Sequence, residues 1–101
     1  MSNQQSILSI GEVLRTARRR RGLRVVEVAK RLRISAPHIS EVERNGRLPG
    51  TDLSVRWARL VGINAGHLAA EIHREKQRRR NERWARDLAA AGAACEEGGG
   101  A

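Results

Sequence analysis

Apolar residues recur at three- and four-residue intervals along most of this chain, and the stripes they form are separated by glycine, asparagine, serine or proline. Ile10, Val13, Leu14 and Ala17 share one face of a helix predicted over about Ile10 to Arg21. Ser9 and Glu12 at its start read Ser-x-x-Glu, a capping box in which each side chain takes the other residue's free backbone N–H. Leu8 and Val13 stand at the positions of a hydrophobic staple, and Gly22 is placed to stop the helix in a left-handed conformation. A second helix, about Val25 to Leu32, turns Val28, Ala29 and Leu32 inward. After a break at Arg33 and Ile34, Ser35 caps a third helix with Pro37 in its first turn, where a missing N–H costs little. That helix buries Ile39 and Val42 and ends near Asn45-Gly46. Leu53, Trp57, Ala58 and Val61 mark a fourth helix, opened by Gly50 or Thr51 and ended by Gly62. Asn64 caps a fifth, with Leu68 and Ile72 inward.

Beyond Ile72 the pattern changes. His73 to Arg83 contains no apolar residue, and Trp84, Leu88 and Ala91 then resume a short stripe. The fold class is therefore all-α. Residues 1–8 form a flexible N-terminus, 9–72 one domain, 73–91 a basic C-terminal helix, and 92–101 a Gly/Ala/Glu tail expected to be disordered.

Composition sharpens this picture. Phe and Tyr are absent, so the core must be built from Leu, Ile, Val and Ala around Trp57. The net charge of +9 draws the chain toward polyanions, of which nucleic acid and an anionic membrane surface are the candidates. No apolar run is long enough for a bilayer span, and none near Met1 resembles a signal peptide, so a cytoplasmic, nucleoid-associated protein with no membrane partner is expected. Cys95 is the single cysteine, which excludes an intramolecular disulfide and a cysteine-based zinc site. His38, His67 and His73 lack a nucleophile or carboxylate constellation, and there is no Gly-rich phosphate loop. No enzyme, cofactor or metal is expected. Single-stranded RNA readers stack bases on aromatic rings, and two tryptophans are a poor supply.

The second and third predicted helices, joined by a short turn, have the form of a unit that places one helix in a groove while the other braces it. The B-DNA major groove, about 12 Å wide, admits one helix and is where every base pair is distinguishable. Here the sequence resembles the Cro/XRE-type helix-turn-helix proteins of phage repressors and bacterial regulators. The resemblance is carried by IGEVLRTAR, GL, EVAKRLRIS, ISEVERNGRLP and WARLVGI, between about Ile10 and Ile72. It implies a five-helix repressor-like domain with an extended C-terminal helix, major-groove reading by the third helix, and a homodimer. The expected function is a sequence-specific regulator of transcription, in the first instance a repressor. An antitoxin-like or accessory regulatory protein, whose segment 73–91 binds a partner protein, is the alternative.

The resemblance also implies an ion pair between Arg18 and Glu43, and it places Ala36, Pro37, Ser40, Glu41 and Arg44 where base edges are read. Ala36 and Pro37 offer contact alone, Glu41 can accept from a cytosine amino group, and Arg44 can reach a guanine. Phosphate contacts are expected from Arg18, Arg24, Arg33, Ser35, His38 and Arg47, within a wider cluster that includes Arg15, Arg19 to Arg21 and Arg31. Four positions depart from the family's habit. Arg24 and Val25 replace the usual small cap and glutamine of the second helix, Arg33 stands where a turn glycine is common, and Ser54 stands where an apolar residue is common. Three readings fit the basic run 73–86: a helical spacer leading to a dimer contact at Trp84 and Leu88, a second DNA-backbone contact, or a frayed end.

Overall fold

The computed structural model describes residues 9–100 as five helices: α1 (Ile10–Arg20), α2 (Val25–Leu32), α3 (Ala36–Arg44), α4 (Thr51–Val61) and α5 (Ala65–Gly100). The predicted N-terminal segment 1–8, and with it Leu8 of the staple, lies outside the described residues. At the start of α1, Ser9 Oγ accepts from the Glu12 N–H at 3.1 Å and the Glu12 carboxylate accepts from the Ser9 N–H at 3.0 Å. Two orphan donors of the first turn are thereby satisfied.

The helix ends are set by left-handed residues. Gly22, Gly46 and Gly62 have φ of 69°, 77° and 81°. Asn45 stays at φ −107°, so at the end of α3 the left-handed step falls on Gly46 alone. Arg33 follows α2 at φ 61°, which costs a residue with a Cβ roughly 1–2 kcal/mol. The turn it makes returns the Ile34 N–H to the Ala29 carbonyl at 3.0 Å. Arg56, reaching over from α4, donates to the Leu32 carbonyl at 2.8 Å, placing a cation on the C-terminal end of α2.

Leu14, Val28, Ile39, Val42 and Trp57 fill the centre of the core, and Leu68 and Ile72 of α5 close it from one side. Trp57 is fully buried, and its indole N–H has no hydrogen-bond partner among the described residues. Ser54, which departs from the apolar habit of its position, is also fully buried and donates to the Thr51 carbonyl at 2.7 Å. Its hydroxyl is thus satisfied within its own helix turn.

Gly11 explains how α1 and α3 pack. A Cβ at this position would lie 2.4 Å from the Val42 carbonyl oxygen and 2.6 Å from that of Glu43. The two backbones meet at a distance no side chain permits. That approach brings Arg18 and Glu43 together.

Helix α5 leaves the body and continues. Its 36 residues make a rod of about 54 Å, in a molecule whose longest dimension is 63 Å. From Lys76 to Gly92 every residue is exposed. The helix also differs from expectation at its end, running on to Gly100 instead of giving way to an irregular tail at Gly92. Ala89 to Ala91 and Ala93-Ala94 are the strongest helix formers, and no proline interrupts them.

Candidate nucleic-acid interface

Helix α3 shows two faces. Ile39, Val42 and Glu43 are buried, while Pro37, Glu41 and Arg44 are exposed along one stripe at i, i+4 and i+7. Ser40 and His38 lie half-buried beside that stripe. Ala36 packs partly against the core, so its methyl is less open than that of a residue at the stripe's centre. Ser35 Oγ accepts from the His38 N–H at 3.2 Å, which leaves the hydroxyl hydrogen free to donate outward.

The charged residues assigned to this region sort into distinct arrangements. Arg18 is 8% exposed, and each of its three side-chain nitrogens donates: Nε and Nη2 to the two Glu43 carboxylate oxygens at 2.8 and 3.1 Å, and Nη1 to the Leu23 carbonyl at 2.8 Å. This is a correction to its assignment as a phosphate contact. A buried guanidinium in a bidentate fork has no free edge to offer, and withdrawing it would strand Glu43. Arg47 pairs with Glu41, both about half exposed. The lone carboxylate on the outward stripe of α3 is therefore neutralised by an arginine from the following loop.

At the start of α2, the Glu27 carboxylate accepts from the Arg24 N–H at 2.7 Å. An anion arriving there would find that backbone donor already occupied, leaving the exposed Arg24 side chain as the available cation. Arg33, in its left-handed turn, is exposed, as are Arg19, Arg20, Arg31 and Arg44. Arg15 is half-buried, and the Arg21 guanidinium lies over Gly62.

Several contributors are hard to find in a sequence. Gly11 and Arg56 hold the frame of α1, α2 and α3 without touching the outward stripe. Glu27 had a visible signal, an acidic residue three places after the residue that precedes the helix; that residue, Arg24, conceals the pattern, because arginine cannot serve as an accepting cap. The Arg47–Glu41 pair spans the end of a helix and has no helical spacing to announce it.

Helix α5 carries a different charge pattern. Glu75 accepts from Arg78 and Arg79, Glu82 accepts from Arg78, and Glu71 accepts from Arg74. Hydrogen bonds from Arg78 and then Arg79 hold the Glu75 carboxyl below the usual carboxylate range. Trp84 and Leu88 are 64% and 56% exposed. At 100° per residue, Trp84 lies about 140° around the axis from Arg79, which sits over Gly46 on the body side.

Among the described residues, no three His, Cys, Asp or Glu side chains are arranged to hold a metal ion, and no helix is long and apolar enough to cross a membrane. A family model described as "Helix-turn-helix domain" matches residues 9–72. No curated protein matches the chain. Among solved structures, the fold is similar to that of the clp gene regulator ClgR from Corynebacterium glutamicum, with a TM-score of 0.55 and 24% identity over 81% of this chain and 88% of that one.

Proposed function

Because this chain belongs to the helix-turn-helix domain family, we propose that it is a sequence-specific double-stranded DNA-binding regulator of transcription that acts as a homodimer. The observation that carries this reading is the single open stripe of α3, exposed at Pro37, Glu41 and Arg44 and bracketed by unburied arginines. The helix is otherwise locked into the core by Ile39, Val42 and the Arg18–Glu43 fork.

In this reading Ala36, Pro37, Ser40, Glu41 and Arg44 face base edges. Arg24, Arg33, Ser35 and His38 lie toward the phosphates, and Arg47 contributes there while it neutralises Glu41. Few of these side chains make the bidentate contacts that discriminate bases best, so part of the specificity comes from DNA shape read by arginine. Repression, by occupying promoter DNA, requires nothing beyond the binding itself.

Dimerisation is assigned to the projecting part of α5. Gln77, Asn81, Trp84, Leu88 and Ala91 follow each other at spacings of four, three, four and three, the period of a coiled-coil seam. Two large exposed apolar side chains in such a seam call for a partner, and a second copy supplies an identical seam. Two bodies joined in this way read half-sites about one helical turn, roughly 34 Å, apart.

Selection of binding sites from random duplex DNA at near-physiological salt tests the reading, with a two-fold symmetric motif as the expected result. Affinity should fall by about 10³-fold across a few-fold rise in salt if some six phosphates are engaged. A flat salt response, or binding without sequence preference, would count against it. Light scattering of the Trp84→Glu/Leu88→Glu variant should report a monomer where the parent is a dimer. A parent that stays monomeric at every concentration would instead leave the seam to a different protein.

A further inference from the structure

A cleft of about 630 Å³ opens between the first turn of α1, the loop after α3, and α5. Its volume lies in the range of small-ligand sites, roughly 300–1,000 Å³. Its floor is apolar, formed by Ile10, Val42 and Leu48, while four guanidinium groups (Arg47, Arg74, Arg78 and Arg79) and the two carboxylates of Glu71 and Glu75 line its walls. Each of these arginines is already paired, Arg47 with Glu41, Arg74 with Glu71, Arg78 with Glu75 and Glu82, and Arg79 with Glu75. Glu41 and Glu82 lie outside the cleft, so within it four cations face two acids. An apolar floor with a few convergent cations is the chemistry that holds an organic anion by both ends.

We propose that this cleft binds a small organic anion, a carboxylate on an aromatic or hydrocarbon frame, and that binding is coupled to α3 through Arg47. The frame lies over Ile10, Val42 and Leu48, and the carboxylate lies among the arginines. Arg47 stands at the junction, since it lines the cleft and its Nη1 donates to Glu41 on the outward stripe of α3. Both partners are about half exposed, so the pair can exchange without disturbing the core. An anion that draws Arg47 into the cleft leaves Glu41 as an uncompensated negative charge facing DNA phosphates. Ligand binding then weakens DNA binding, and by linkage DNA weakens ligand binding by the same factor. The coupling rests on the DNA-binding function proposed above; the cleft itself does not.

The experiment titrates the full chain, without DNA, with 2-naphthoate, with the neutral 2-naphthalenemethanol and with inorganic phosphate, following backbone amide shifts by NMR. Saturable shifts centred on Ile10, Gly11, Val42 and Leu48 are expected for 2-naphthoate, with at least ten-fold weaker effects from either control. The Arg74→Ala/Arg79→Ala variant should bind at least five-fold more weakly, its fold checked by an unchanged amide pattern for α2 and α3. Shifts spread along the arginines of α5, or unchanged by that variant, would overturn the site. With duplex DNA present, saturating 2-naphthoate should lower the parent's DNA affinity several-fold but leave that of Arg47→Ala unmoved. Equal effects on both would overturn the coupling. A chain that binds no duplex at all would overturn the function proposed above, while the naphthoate titration still decides the cleft.

Discussion

The body formed by α1 to α4 with the start of α5, and the outer face that α5 presents from Glu71 onward, use the same residue types to opposite ends. Both join arginine to glutamate. In the body the buried pair is Arg18–Glu43, bidentate and twenty-five residues apart in sequence. Along α5 the pairs are Arg74–Glu71, Arg78–Glu75, Arg78–Glu82 and Arg79–Glu75, all three or four residues apart, with arginines roughly half or more exposed. Identical chemistry therefore has different worth. The first pair fixes which helix meets which, and its loss leaves a charge without water or a partner. The others lie in high dielectric, where water screens the same contact and it contributes little to the helix.

The sharpest way to break this comparison is Glu43→Ala. Stranding Arg18 should cost about 3–5 kcal/mol in denaturant-induced unfolding, while Glu82→Ala should leave the unfolding midpoint unchanged within error. A loss below about 1 kcal/mol at Glu43 would mean that the buried fork organises nothing. Next comes Gly11→Ala, whose added methyl would meet the Val42 and Glu43 carbonyls and force α1 away from α3. A destabilisation of about 1–3 kcal/mol is expected, with the largest amide-shift changes at Arg18 and Glu43. A neutral result would show that the two backbones are free to separate.

The smallest effect separates the rod from the body by pH. Glu75 has a folded-state pKa below its unfolded one, so its contribution to helix stability is present above about pH 4.3 and is lost as pH falls through the folded value. Circular dichroism of the parent should show slightly less helix on that acid side, and Glu75→Gln should remove the step. An unchanged step in the variant would assign it to other carboxylates.

Much of the body was legible in the sequence because its signals are local. Ser9 and Glu12, Gly22, Ser35, Gly62 and Asn64 mark helix ends by chemistry that acts within three or four residues. What was illegible depends on approach in space. Nothing near Gly11 in sequence says that the α3 carbonyls will lie against it, and nothing near Arg56 points to Leu32. The resemblance brought Arg18 and Glu43 together as a pair. It could not also free Arg18 for phosphate, because burial was the missing fact. The outward stripe of α3 followed from helical spacing, whereas the neutralisation of Glu41 by Arg47 required knowing how the chain turns at Gly46.

The unbroken course of α5 from Ile72, locked in the core, to Trp84 and Leu88 has a mechanical meaning. A stiff shaft clamped at one end transmits rotation without loss. Adding or removing a single residue between these anchors would turn the far seam by about 100° and shift it by about 1.5 Å. In the homodimer proposed above, an insertion or deletion along this stretch retunes the spacing between two recognition surfaces while leaving both surfaces untouched.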